Sequence, residues 1–277
     1  MKNSILPRLI IVSTLLIVIG VLVIIFFVPS PIDSAAWNPS QAPTWTGKLA
    51  PNDALVKADF LGVSQLHHPE DIAFDDMGRL YTGCEDGNIY RLTFSASGDV
   101  TVVERFAAVG GFPLGLRFDG NKNLIAAVKG VGLLSVDPFG NSSTLANEVN
   151  GTPITYANDL EIASDGTIYF SDSSTKFTRG WPYDILEAKP YGRILIYDPA
   201  TKSTSILKDN LYFANGVALA PDESFLLVGE TSRYRIARYW LKGPQAGTWD
   251  YFAENLPILV DELTLLQLRK TKSWWLK

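Results

Sequence analysis

Four oxygen-bearing side chains recur in one phase of this sequence: Glu70, Asn158, Asn215 and Asp261. Each stands two residues ahead of the hydrophobic residue of a β-rich segment, namely Ile72, Leu160, Val217 and Leu263. A fifth segment, centred on Leu116, carries Leu114 in that place. Two carboxylates and two amides make a hard oxygen donor set, which suits Ca²⁺ with its flexible geometry. Zn²⁺ would call for nitrogen or sulfur. Taken singly, each residue is also ordinary turn or surface chemistry; the shared phase is what argues for one common site. His67-His68 lies beside Glu70 and is a candidate base. Asp172, Ser173 and Ser174 follow a strand and are candidates for the mouth of the site, with turn capping as the other reading. Trp181, Tyr183 and Tyr191 are candidates for the wall of an apolar substrate pocket, or for plain loop packing. No GxSxG elbow, P-loop or HExxH motif is present.

A shared phase requires elements that repeat. Tyr156–Ser174 reads as two short strands about an Asp165-Gly166 turn. The same pattern begins at Pro69, Pro113 and Ala214. The aligned hydrophobic residues are about 44 residues apart, with one step of about 57 that contains an inserted loop, Lys176 to Pro190. All-β repeats of this length are four-stranded propeller blades, and equivalent inner-strand positions then face one level of a central channel. Third strands are expected at 88–92, 132–136, 193–197 and 235–239, and fourth strands at 100–103, 143–145, 203–207 and 249–252. Leu55–Phe60 reads as a further strand that would complete the last blade and cover a sheet edge.

The chain has 277 residues, 47% of them hydrophobic, enough for one sizeable core. A net charge of −5 offers no basic stripe, so nucleic acid is not an expected partner. The single cysteine, Cys84, excludes an internal disulfide and a cysteine metal site. Residues 9–28 are uncharged and apolar over about 20 residues, the length of a membrane-crossing helix. Lys2 and Arg8 precede this run and no basic residue follows until Lys48. The expectation is a single-pass signal anchor with residues 1–8 cytoplasmic and the propeller luminal or extracytoplasmic. Cleavage near Ser34-Ala35-Ala36 is the competing reading, although secretory apolar cores are usually shorter, about 7–15 residues. Residues 29–53, rich in Pro, Ala and Ser, read as a linker. Asn141-Ser142-Ser143 is a glycosylation sequon, meaningful only in a secretory lumen.

Several segments resemble the strictosidine synthase-like family, including its adipocyte plasma membrane-associated members. That family lies within the six-bladed propeller group of gluconolactonase and paraoxonase. The matching segments are His68-Pro69-Glu70-Asp71-Ile72, Ala157-Asn158-Asp159-Leu160, Tyr169 to Ser174, Phe213 to Glu223 and Tyr239 to Gly243. The resemblance implies an N-terminal anchor and, in the calcium-dependent hydrolases of the group, an ion held by a Glu, two Asn and an Asp from successive blades. Glu70, Asn158, Asn215 and Asp261 match those places. The implied activity is hydrolysis of small esters or lactones, of arylesterase type. The alternatives are a metal-free condensing enzyme of strictosidine synthase type and a non-enzymatic docking propeller.

The expected architecture is therefore an all-β, six-bladed-type propeller behind a transmembrane helix. It is incomplete: residues 54–257 supply four blades, and 258–277 form an aberrant tail with the start of a fifth. Six blades would need about 264 residues beyond the linker, and about 224 are there.

Overall fold

The computed structural model describes residues 5–53, 55–178, 180–261 and 263. The chain divides into two units, Met1–Ser34 and Ala35–Lys277. The first unit holds helix α1, Ile5–Phe27, of which Pro7–Phe27 is long and apolar enough to cross a membrane. The helix begins before the expected residue 9 because Pro7 falls in its first turn, where a missing N–H costs nothing. It stops before Val28 because a residue preceding proline, here Pro29, is pushed out of the α region. Lys2 lies outside the described residues.

In the second unit four antiparallel four-stranded sheets follow one another, each in simple up-and-down order. The first blade is β1 Pro69–Phe74, β2 Leu80–Cys84, β3 Asn88–Phe94 and β4 Val100–Ala108; the second is β5 Phe112–Phe118, β6 Leu124–Lys129, β7 Gly132–Val136 and β8 Ser142–Ala146. A two-residue pair, β9 Glu148–Val149 and β10 Thr152–Pro153, joins it to the third: β11 Ala157–Ile162, β12 Ile168–Asp172, β13 Gly192–Asp198 and β14 Ser203–Leu211. The fourth is β15 Ala214–Leu219, β16 Phe225–Glu230, β17 Arg235–Trp240 and β18 Trp249–Ala253. Aspartates fix the hairpin turns as the sequence pattern requires. Asp165 Oδ1 accepts from Thr167 N at 2.9 Å, and Gly166 takes the left-handed φ of 89° that the turn demands.

The core lies between successive blades. Tyr81 and Ile89 of the first meet Leu116, Leu124 and Ala126 of the second. Ile125 and Leu133 meet Leu160 and Phe170, and Ile194 and Leu211 meet Val217 and Leu226. Each such fully buried side chain contributes about 1.5–3 kcal/mol. On the open face of the first blade, Ile72 and Phe74 are 51% and 44% exposed.

Three sequence expectations are revised. Leu55–Phe60 is not a strand: Leu55–Lys57 is a turn, and Leu55, Val56 and Phe60 are exposed. The inserted loop contains a short helix, α2 Trp181–Glu187, with Pro182 in its first turn. The later part of the expected linker is bound rather than free. Ala35 N donates to Glu187 O at 2.8 Å, Trp37 stacks on Tyr234 at 5.9 Å, and Asn255 Nδ2 donates to Gln41 O at 2.7 Å. Most of the expected tail, residues 262 and 264–277, lies outside the described residues.

Candidate functional site

Each inner strand is irregular at one place. In the first blade Pro69 pairs with Cys84 and Ile72 with Thr82, so Glu70 and Asp71 together oppose Gly83. In the third, Asn158 and Asp159 oppose Ser171; in the fourth, Asn215 and Gly216 oppose Gly229. In the second, Leu114 is the extra residue. A β-bulge of this kind re-aims a side chain out of the regular pleat. The candidate residues are therefore the bulged ones. Glu70, Leu114, Asn158, Asn215 and Asp261 line one cavity of about 290 Å³. Tyr156, Trp181, Phe213, Thr231 and Leu259 also line it. Leu114, Tyr156 and Phe213 pack together beside the polar residues, Tyr156 and Phe213 edge to face at 5.3 Å.

The amides are oriented by hydroxyls. Asn158 Nδ2 donates to Ser173 Oγ at 2.9 Å, and Ser173 Oγ donates to Ala214 O at 2.6 Å. Asn215 Nδ2 donates to Thr231 Oγ1 at 3.1 Å, and Thr231 Oγ1 donates to Val260 O at 2.5 Å. A hydroxyl whose proton is committed to a carbonyl can only accept from its other neighbour. Each asparagine must therefore turn its NH₂ to the hydroxyl, which frees its carbonyl oxygen. Asn215 Nδ2 also donates to Asp261 Oδ1 at 2.6 Å, and Asn215 Oδ1 is buried without any hydrogen-bond partner. Gly216 N donates to Asp261 O at 2.9 Å, which brings the Asp261 backbone beside the fourth blade.

The electrostatics match this arrangement. Glu70 is raised above the usual carboxylate range, by partial burial first and then by the negative charge of Asp261. An acceptor left unpaired among two carboxylates and a second amide is the environment that a hard cation satisfies, so the residues present fit Ca²⁺. Among the described residues no group of three or more His, Cys, Asp or Glu comes together as a metal cluster. The donors here are half amide.

The other candidates have separate roles. His68 Nδ1 is 2.6 Å from Glu85 Oε2, and neither histidine lines the cavity. Asp172 is buried and holds Arg193 Nη2 at 2.9 Å and Tyr156 N at 2.8 Å, so it supports the wall. Ser174 Oγ donates to Asp184 Oδ2 at 2.5 Å and ties down α2. Burial pushes Asp184 up to about 6. Trp181 is the one insertion aromatic in the cavity wall; Tyr183 and Tyr191 pack on Phe177 instead. Asn141 is exposed.

Two residues, Thr231 and Arg117, escaped the sequence reading, and Ser173 was read there only as a candidate for the mouth of the site. Ser173 and Thr231 stand 15 and 16 residues after the asparagines they orient, a spacing present in the repeat. Arg117 lies in the second blade. Its Nη1 lies 2.5 Å from Asp71 Oδ2, and its Nη2 lies 3.8 Å from Asp159 Oδ1; Glu161 Oε1 is 3.5 Å away. The two aspartates follow Glu70 and Asn158 directly and staple the next blades. Asp71 Oδ2 accepts from Leu116 N at 2.9 Å, and Asp159 Oδ2 accepts from Val217 N at 2.6 Å. Burial raises Asp159, and the Arg117 charge opposes the rise.

Comparison with known proteins gives a consistent family. Residues 158–244 match the model for strictosidine synthase, and 47–92 match that for the strictosidine synthase-like N-terminal region. STRICTOSIDINE SYNTHASE-LIKE 6 of Arabidopsis thaliana is 38% identical over 76% of this chain and 56% of its own length. STRICTOSIDINE SYNTHASE-LIKE 7 of the same plant is 34% identical over 91% and 68%. Adipocyte plasma membrane-associated protein of Salmo salar is 36% identical over 89% and 62%. The chain thus spans 56 to 68% of the length of these relatives. Among solved structures, a gluconolactonase from Xanthomonas campestris matches with a TM-score of 0.60 and 21% identity, over 72% of this chain and 67% of that one. A calcium-binding regucalcin from Agrobacterium tumefaciens matches with a TM-score of 0.51 and 16% identity, over 70% and 61%. These likenesses establish the propeller fold.

Proposed function

The chain belongs to the strictosidine synthase-like family, and from that premise we propose a membrane-anchored, calcium-dependent hydrolase of small esters or lactones. The observation that carries the reading is the buried, partnerless Oδ1 of Asn215 in a cavity shared with Glu70, Asn158 and Asp261. These four residues would hold the ion. When bound, calcium supplies Lewis-acid polarisation of an ester carbonyl. Ser173 and Thr231 keep the amide oxygens turned to that position, so no reorganisation is needed during reaction. Leu114, Tyr156, Phe213 and Trp181 hold the apolar part of the substrate and exclude water. The calcium-binding relative in fold supports the choice of ion.

The test is a calcium titration by calorimetry together with phenyl acetate hydrolysis. The parent chain binds calcium and loses hydrolysis on chelation; Asn158→Ala weakens binding at least tenfold and abolishes turnover. No calcium binding, or hydrolysis indifferent to chelation, would overturn the reading and leave the metal-free or docking alternatives.

The charge bias about α1 supports a propeller on the non-cytoplasmic side, with residues 1–8 in the cytoplasm. Protease added to sealed vesicles should then leave the propeller intact. Digestion of it without detergent would reverse the assignment.

A further inference from the structure

The bulge of the second blade brings Leu114 to the cavity and no oxygen, and a cation of the same blade, Lys129, stands against Tyr156 of the cavity wall. Lys129 closes β6, and its chain pairs with Tyr156 as an isolated bridge. In the register of the inner two strands it occupies the place that Ser173 holds in the third blade and Thr231 in the fourth. Those two residues turn an amide toward the cavity. In the second blade the bulge residue is Leu114, which has no amide to turn. Lys129 Nζ lies 4.5 Å from the centre of the Tyr156 ring, one of the cavity walls. Among the described residues, Nζ has no hydrogen bond and no ion pair within 4.0 Å. Glu85 holds the same place in the first blade, is 61% exposed, and has its Oε2 engaged by His68. Lys129 is half-buried. An ammonium held half-buried on an aromatic face, with no anion in direct contact, has unused donors.

We propose that Lys129 is a specificity-determining residue that receives a carboxylate of the substrate, so that the site takes esters or lactones with an apolar body and one negative charge. The charges decide for a monoanion. Glu70 and Asp261 together carry the charge that one divalent cation cancels, which leaves Lys129 facing only the exposed Glu85, whose Oε2 is engaged by His68. The apolar body has its place on Leu114, Tyr156, Phe213 and Trp181. Burial lowers the amine from its ordinary value while Glu85 and Glu70 hold it up, so an incoming anion restores solvation that the amine has lost. A charge-assisted hydrogen bond in such a place is stronger than a neutral one.

The proposal rests on this cavity being the substrate site, and its test separates the two ideas. The full chain, in detergent with calcium present, is titrated with 4-hydroxybenzoate and with its neutral match, 4-hydroxybenzamide. Wild type favours the benzoate by roughly tenfold, the scale of one charge-assisted hydrogen bond. Lys129→Gln brings the ratio of the two affinities close to one, and Lys129→Arg keeps most of it. A ratio unchanged in Lys129→Gln would overturn the proposal, as would an equal fall for both ligands or no binding of either by wild type. Lys129-dependent preference without ester cleavage would remove the hydrolase reading and leave this one. Ester cleavage with a ratio indifferent to Lys129 would do the opposite.

Discussion

Replacing Arg117 by Met removes the one cation among Asp71, Asp159 and Glu161 while keeping most of the side-chain volume. The Arg117 side chain is 22% exposed, that of Asp71 12% and that of Asp159 fully buried, so solvent can compensate little. Breaking a buried pair on one side costs about 3–5 kcal/mol, because the partner is left charged and dry. In a domain of this size each kcal/mol moves Tm by roughly 2–4 °C, so a fall of about 10 °C at pH 7.5 is expected. The loss depends on pH with a definite sign. Burial already holds Asp159 and Glu161 above their ordinary values, and Arg117 is what lowers them. Without it both rise further, and the folded variant takes up protons that the unfolded chain has released. Stability relative to wild type therefore falls as pH rises above the ordinary carboxylate range, and is partly regained at pH 5. Because Asp71 and Asp159 follow Glu70 and Asn158 in the bulges, calcium affinity should fall as well. Differential scanning calorimetry at pH 5 and 7.5 reads both effects. A Tm drop below about 3 °C at pH 7.5, or the same drop at both values, would refute the account of Arg117 as the cation that holds these carboxylates.

Three further substitutions probe the surroundings of the cavity. Ser173→Ala and Thr231→Val each free one asparagine to rotate and should weaken calcium binding by about 10–100-fold, the usual effect of removing an outer partner; unchanged affinity in both would mean that the amides are fixed by something else. Asp184→Asn removes a carboxyl held at about 6 against an ordinary 3.8, so wild type loses stability as pH rises through that window and the variant does not, a divergence of up to about 3 kcal/mol. Parallel stability curves from pH 4 to 7 would show that Asp184 does not titrate there.

The repeat was readable because a strand alternates with period two and its turns need Asp and Gly. Ile72, Leu116, Leu160 and Val217 mark the same rung of four sheets, as their partners Thr82, Ala126, Phe170 and Val228 confirm. The bulge at each rung was not readable. It is a two-against-one mismatch between strands, and a single strand carries no record of its partner's count. One trace remains in residue type. Gly83 and Gly229 stand opposite bulges, where an added Cβ would come within 2.1 Å of Pro113 O and 2.8 Å of Val260 Cγ1. Leu55–Phe60 failed for a different reason: β-propensity is realised only where a sheet takes the segment up, and none of the described sheets does. The same limit hid Arg117 and Lys129. Both stand in the second blade, whose inner strand brings Leu114 where its neighbours bring oxygen. With that position apolar, the blade's polar contribution shifts to its cations, Arg117 among the stapling carboxylates and Lys129 against Tyr156 of the cavity wall. The blade that looked empty of chemistry in the repeat thus supplies one cation to the carboxylates next to the candidate donors and one to the ring that walls their cavity.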